Sequence, residues 1–142
     1  MGKSFLEKNL TSLVGEFGTA SQLCLRGYVA SLTLKNYPGV DVFAYNPKNE
    51  KSTTIQVKAS RDGWFNPGKV NKKSIYVYVQ VNDDKTLDYY IIPGSKVHWA
   101  VDQRLKIYLD SHPNSKKDQP TWVSAEDDFP DCKDEWENLG LE

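Results

Sequence analysis

Glu16, Asp41, Gln56 and Lys58 are residue types that together can hold a hard cation beside a phosphodiester. Asp41 sits in Val40-Asp41-Val42-Phe43-Ala44-Tyr45, and Gln56 and Lys58 sit in Thr54-Ile55-Gln56-Val57-Lys58-Ala59. A residue and its second neighbour on a strand share a face, so Thr54, Gln56 and Lys58 project to one side and Ile55, Val57 and Ala59 to the other. Mg²⁺ prefers oxygen ligands, keeps several waters and needs few protein groups. Asp41 offers a carboxylate, Gln56 an amide oxygen and Val57 a backbone carbonyl. Glu16, upstream, can reach the water shell or a second ion. Lys58 can meet the phosphate or orient the attacking water. A bound divalent ion would act as Lewis acid and water activator. Each residue also has a plain structural reading. Asp41 can cap a turn after Pro38-Gly39, Lys58 can be an exposed strand lysine, and Glu16 a solvated helix residue.

The loop directly after Lys58 adds a second feature. Residues 60–73 contain Arg61, Lys69, Lys72 and Lys73 together with Trp64 and Phe65. Such a loop can grip phosphates through its cations while Trp64 or Phe65 stacks on a base. The alternative is a solvated loop whose two aromatics fold onto the core. Long loops in small domains are more often functional than not.

The elements that must position these residues follow from periodicity. Leu6, Leu10, Leu13, Phe17, Ala20 and Cys24 recur at helical steps, so a helix is predicted from about Ser4 to Arg26 with this stripe, Cys24 included, as its packing face. Gly27 suits the left-handed stop. Gly15 is costly inside a helix, by ~1 kcal/mol, which a close backbone approach would explain. Strands are predicted at 28–34, 40–45, 52–59, 74–81 and 87–92, with a turn at 36–39 and a hairpin turn at 82–85. A second helix is predicted at about 95–110, stopped by His112-Pro113. The stretch to Gln119 is polar, and a short last helix at 131–139 would dock Trp136 and Leu139. Trp99 and Trp122 are expected to pack as Trp136 does, and His98 to be structural. Strands flanked by helices argue an α/β or mixed α+β fold, a central sheet covered by helices.

The bulk numbers agree. With 142 residues, 39% hydrophobic and 12% aromatic, the chain fits one folded domain over 1–142. Such a domain buries roughly 70% of its unfolded surface. No run of ~20 apolar residues suggests a membrane span, and the N-terminus lacks the apolar core of a secretory signal. Cys24 and Cys132 form no metal-type spacing, and a reducing, cytoplasmic setting is the simplest expectation. The net charge is −1, but its distribution is uneven. Up to Ala125 there are 17 basic and 11 acidic residues; from Glu126 on there are one and eight. A basic body thus carries an acidic tail at about 126–142, and location governs steering more than the sum.

The order Gly15-Glu16, Arg26-Gly27-Tyr28, Gly39-Val40-Asp41-Val42 and Ile55-Gln56-Val57-Lys58-Ala59-Ser60 resembles the PD-(D/E)XK nuclease superfamily, with its restriction-endonuclease-like core. It looks most like small prokaryotic members written Gly-Glu, Asp, Gln-Val-Lys, and is similar to Holliday-junction-resolvase-like proteins. The likeness covers roughly the first 60 residues. It implies Asp41 as the main metal ligand, Lys58 as the catalytic lysine, Glu16 as the helix acid and Gln56 where Glu or Asp is usual. It further implies a Mg²⁺-dependent endodeoxyribonuclease, with Mn²⁺ as a substitute, DNA as partner and a homodimer for two-strand cleavage. Gln56 departs from the pattern, since a neutral amide binds Mg²⁺ more weakly and cannot serve as a general base. A catalytically inactive DNA-binding module on the same fold is therefore the alternative. A protein-interaction or regulatory domain using the acidic tail and tryptophans is the third reading.

Overall fold

The computed structural model describes residues 4–34, 39–115 and 121–142. Most of the turn expected at 36–39 and the end of the polar stretch before Thr121 lie outside the described residues, as does the side chain of Leu6.

The chain opens with helix α1 (Phe5–Leu25). Ser4 and Glu7 form a reciprocal capping box at its start, satisfying two otherwise orphaned N–H groups. At its end Gly27 turns to φ +88°, with Gly27 N–H bonded to Cys24 O and Tyr28 N–H to Leu23 O. That pair of bonds is a Schellman stop, which the glycine makes possible.

Strands β1 (Val29–Leu32), β2 (Val42–Tyr45), β3 (Ser52–Ser60), β5 (Ile75–Val81) and β6 (Leu87–Pro93) form one sheet in the order β1-β2-β3-β5-β6. The β3–β5 pair is parallel and the other pairs are antiparallel, so the sheet is mixed. A ribbon not foreseen from sequence pairs β4 (Trp64–Phe65), inside the long loop, with β7 (Val123–Ser124). Helix α2 (Gly94–Ser111) follows β6 directly. The short helix α3 (Ala125–Asp128) and two 3₁₀ turns, Pro130–Cys132 and Trp136–Leu139, complete the chain.

Two apolar clusters fill the two sides of the sheet. One joins Leu23, Val42, Ala44, Ile55, Val77, Val79 and Ile91 with Trp136, Leu139 and Leu141 from the end of the chain. The other joins Tyr76, Tyr78, Tyr90 and Ile92 with Val97, Ala100 and Val101 of α2 and with Phe65, Val123 and Phe129. The expected sheet flanked by helices is what the chain forms.

Sequence expectations are corrected at the last segment and at α1. The last segment is two 3₁₀ turns rather than one short helix, although Trp136 and Leu139 do dock as expected. The acidic tail alternates exposed acids with buried Phe129, Cys132, Trp136, Leu139 and Leu141, which makes it part of the core. The packing face of α1 is the opposite one. Leu10, Leu13, Phe17 and Cys24 are exposed, while Thr11, Gly15, Glu16, Thr19 and Leu23 are buried. The reason is closeness of approach. A Cβ at Gly15 would lie 2.7 Å from Ala59 Cβ and 3.3 Å from Val57 Cγ1, so only the face of small residues lets α1 rest on β3.

Candidate active site

The site is built where β2 leaves β3. Their pairing runs from Tyr45 opposite Ser52 to Val42 opposite Ile55. One residue further, Asp41 N–H still bonds Ile55 O at 2.9 Å. Then the ladder stops, and Asp41 itself takes the next donor: its Oδ2 accepts from Val57 N–H at 2.7 Å. A carboxylate thus occupies a place that a strand carbonyl would otherwise fill. In an extended strand the N–H and C=O of one residue point to the same edge, so the Val57 carbonyl faces the same gap. The Asp41–Ile55 bond sets Asp41 beside Val42 opposite the same residue, Ile55, the two-against-one geometry of a bulge, which ends the regular pairing here. Thr33 N–H holds Asp41 O from the other side, at 3.0 Å.

Gln56 is held by Tyr76, its partner across the parallel pair. Gln56 Nε2 donates to the Tyr76 hydroxyl at 3.2 Å, and Asn71 N–H donates to the same oxygen at 3.0 Å. A cation would take the other end of that amide, Oε1. Lys58, two residues on and opposite Tyr78, lines a cleft of about 570 Å³ beside the open edge of β3. Lys8, Thr11 and Ser12 of α1 form one wall, Trp64, Phe65, Asn66 and Trp122 the other, with Val57 and Ser60 at its base. The Ser60 hydroxyl is 2.5 Å from that of Tyr78. Burial pushes the Tyr78 phenol up to about 12, so it stays neutral at any ordinary pH. Glu16 is 5% exposed and follows Gly15, whose backbone abuts the Val57 side chain.

Val57 is accordingly where these elements converge: Asp41 on its N–H, Gln56 and Lys58 on either side in sequence, and α1 against its side chain. The expected cations of the loop do not share this place. Among the described residues lining the cleft, Lys8 and Lys58 are the cations, while Arg61, Lys69, Lys72 and Lys73 are exposed elsewhere. Arg61 lines a different groove with Asp88, Glu126 and Asp127, and Asp62 lines both that groove and the cleft. Of the predicted loop contacts Trp64 and Phe65 line the cleft, and the structure separates the two, with Phe65 buried against Tyr78 at 4.9 Å and Trp64 exposed. The loop is shaped by side chains bonding their own backbone: Asp62 to Trp64 N–H, Asn66 to Gly68 N–H and Asn71 to Lys73 N–H, each at 2.9–3.0 Å.

Sequence reasoning missed Tyr76, Lys8 and Trp122. Tyr76 meets Gln56 only through a parallel register that no local pattern reveals. Trp122, expected to pack, is 55% exposed, and Trp99 is exposed as well.

Among the described residues no three or more His, Cys, Asp or Glu side chains group to hold a metal. The available donors are the carboxylate of Asp41, the amide oxygen of Gln56 and the Val57 carbonyl, while Glu16 lies on α1, which packs against the Val57 and Ala59 side of β3. That set fits Mg²⁺, which binds through one or two carboxylates and retains water, better than a cation requiring a full protein cage. No helix of the described residues is long and apolar enough to cross a membrane.

No family model matches the chain, and no curated protein matches it. Among solved structures it is similar to a bacterial homing endonuclease, I-Ssp6803I, with 10% identity, a TM-score of 0.53, and coverage of 94% of this chain and 92% of that one. It is also similar to Hjc, a Holliday junction resolvase of Archaeoglobus fulgidus, with 11% identity, a TM-score of 0.49, and coverage of 84% and 87%. The likeness to the homing endonuclease shows a shared fold, a mixed sheet flanked by helices of the restriction-endonuclease-like kind.

Proposed function

We propose that this protein is a metal-dependent endodeoxyribonuclease that hydrolyses DNA phosphodiester bonds. The observation that carries the reading is the convergence at Val57, which gathers a carboxylate, a backbone carbonyl and an ammonium beside an open cleft. Asp41, the Val57 carbonyl and Gln56 Oε1 would hold Mg²⁺ or Mn²⁺, with Glu16 beyond them. When bound, the ion supplies Lewis-acid stabilisation and an acidified water. Asp41 is already fixed by Val57 N–H, so its second oxygen is oriented before any ligand arrives. Lys58 places a positive charge in the cleft where the phosphate would lie and stabilises the charge that grows on its oxygens. Tyr76 keeps the Gln56 amide from turning. Lys8 adds a second cation for the DNA backbone.

The test is cleavage of a supercoiled plasmid. Wild type is expected to nick or linearise it with Mg²⁺ or Mn²⁺ and not with EDTA. Asp41→Ala and Lys58→Ala are each expected to lose at least about a hundredfold in rate, in line with removal of one charge-stabilising group, while retaining DNA binding in EDTA.

A second reading is favoured by one observation. Gln56 stands where a third carboxylate would complete a metal cluster, and none replaces it among the described residues. A catalytically inactive DNA-binding module is supported if wild type binds DNA with a steep salt dependence yet cleaves nothing with either ion. Absence of binding even at low salt supports a protein-interaction domain instead.

The proposal includes a homodimer, since cutting two strands calls for two sites. The outward stripe of α1 is the surface a second copy would cover. Between Lys8 and Arg26 its single charged residue is the buried Glu16. The stripe is nearly symmetric about Phe17, with Leu10 seven residues before it and Cys24 seven after. Antiparallel self-packing therefore brings no like charges together along that span.

A further inference from the structure

The far wall of the cleft carries two indoles that the core does not consume. In the β4–β7 ribbon Trp64 pairs with Ser124 and Phe65 with Val123. Alternation sends Phe65 and Val123 inward, where Phe65 stacks on Tyr78 and lies 6.2 Å from Phe129. The same alternation sends Trp64 outward, and Trp122, just before β7, lines the same cleft. Trp64 is 38% and Trp122 55% exposed, and both line the cleft that holds Lys58.

The platform is built rather than incidental. The Arg104 guanidinium lies 4.7 Å from the centre of the Trp64 ring. Arg104 is itself fixed by Asp128, through Nε at 2.6 Å and Nη2 at 3.1 Å. Asp128 also accepts from Ser124 N–H at 2.8 Å, which ties the clamp to β7. The charge of Arg104 is thus committed to Asp128 and to the ring. It orients Trp64 instead of gripping phosphate. An exposed tryptophan pair, one member locked from behind, in a cleft whose cations are Lys8 and Lys58, matches a ligand with flat aromatic faces on an anionic backbone.

We infer that Trp122 and Trp64 form a stacking platform for an unpaired base, so that the cleft takes DNA whose nucleotides are unstacked next to the bound phosphate rather than continuous duplex. This rests on the nuclease reading for the identity of the ligand and extends it to the substrate class. A base in duplex presents only its edges. A base released from the stack offers its faces, and each base stacked on an aromatic side chain is worth enough to change affinity by about tenfold.

The experiment measures binding in EDTA of three fluorescein-labelled probes: oligothymidylate, a blunt duplex, and that duplex with a single-stranded overhang. Wild type is expected to prefer the first and third. Trp122→Ala and Trp122→Leu are expected to lose about tenfold for those two and under twofold for the blunt duplex, and Trp122→Phe to retain most of the affinity. Oligothymidylate is expected to quench wild-type tryptophan emission, and less so in Trp122→Phe. Thermal melts check that each variant folds, which the exposure of Trp122 favours. The inference is overturned if wild type holds the blunt duplex as tightly as oligothymidylate, or if Trp122→Ala and Trp122→Leu leave oligothymidylate binding within twofold. Plasmid cleavage separates the two proposals. Cleavage by wild type without Trp122-dependent binding sinks the platform alone, whereas Trp122-dependent binding without any cleavage sinks the nuclease alone.

Discussion

At the scale of single residues, Gln56 would set how strongly the proposed site holds a cation. It contributes an amide where a carboxylate would add a full charge, and the Tyr76 hydroxyl holds that amide by a hydrogen bond. Ligand charge sets affinity for hard cations, so Gln56→Glu is expected to lower the Mn²⁺ concentration for half-maximal plasmid cleavage by about tenfold. The same carboxylate can accept from the Tyr76 hydroxyl, so the fold tolerates it. An unchanged metal requirement in a titration of cleavage rate would show that this position does not face the ion. The residues of the candidate site stand out in the sequence as types and order: an acid before one strand and a lysine on the next. Their supports do not. Tyr76, Lys8 and Trp122 reach the site through a parallel register, a helix crossing and a ribbon between segments some sixty residues apart. No local pattern encodes these.

At the scale of elements, α1 shows what hydrophobic periodicity can and cannot say. Its steps of three and four located the helix and its ends well. They also singled out an apolar face, but periodicity does not name the partner of a face. The sheet selected the side carrying Gly15, Thr11 and Thr19, because small residues permit the backbone contact that sets α1 beside Val57. The steric claim is testable. Gly15→Ala gains about 1 kcal/mol in helix propensity but drives a methyl to 2.7 Å from Ala59 Cβ. Overpacking of this kind costs about 1–3 kcal/mol, and because the opposing atom is a Cβ with no freedom to swing away, destabilisation should win by about 1 kcal/mol. A lower midpoint in urea denaturation is expected, and a raised midpoint would disprove the tight α1–β3 approach. The strands were placed within one or two residues, since alternation is local. The β4–β7 ribbon was missed because each half is two residues long.

At the scale of the whole molecule, the outward stripe of α1 bears on assembly. Phe17 lies at its middle and is 59% exposed. If a second copy covers it, sedimentation velocity should report a dimer at micromolar concentration, and Phe17→Lys should return it to a monomer of unchanged melting temperature. A monomeric wild type would remove the dimer from the proposal and leave the site untouched. The other large-scale feature is the lock at the end of the chain. Leu141 is buried in the cluster beneath the sheet, and its carbonyl accepts from the side chains of Asn46, at 2.6 Å, and Asn49, at 3.0 Å, in the β2–β3 turn. The strand pair that presents Asp41 and Val57 is therefore clasped at its turn by a segment more than ninety residues further along the chain. Anything that draws this segment away takes Trp136, Leu139 and Leu141 out of the cluster under that pair and frees the turn from which both strands run. The candidate site is thus sensitive, at a distance, to a stretch of sequence that does not line its cleft.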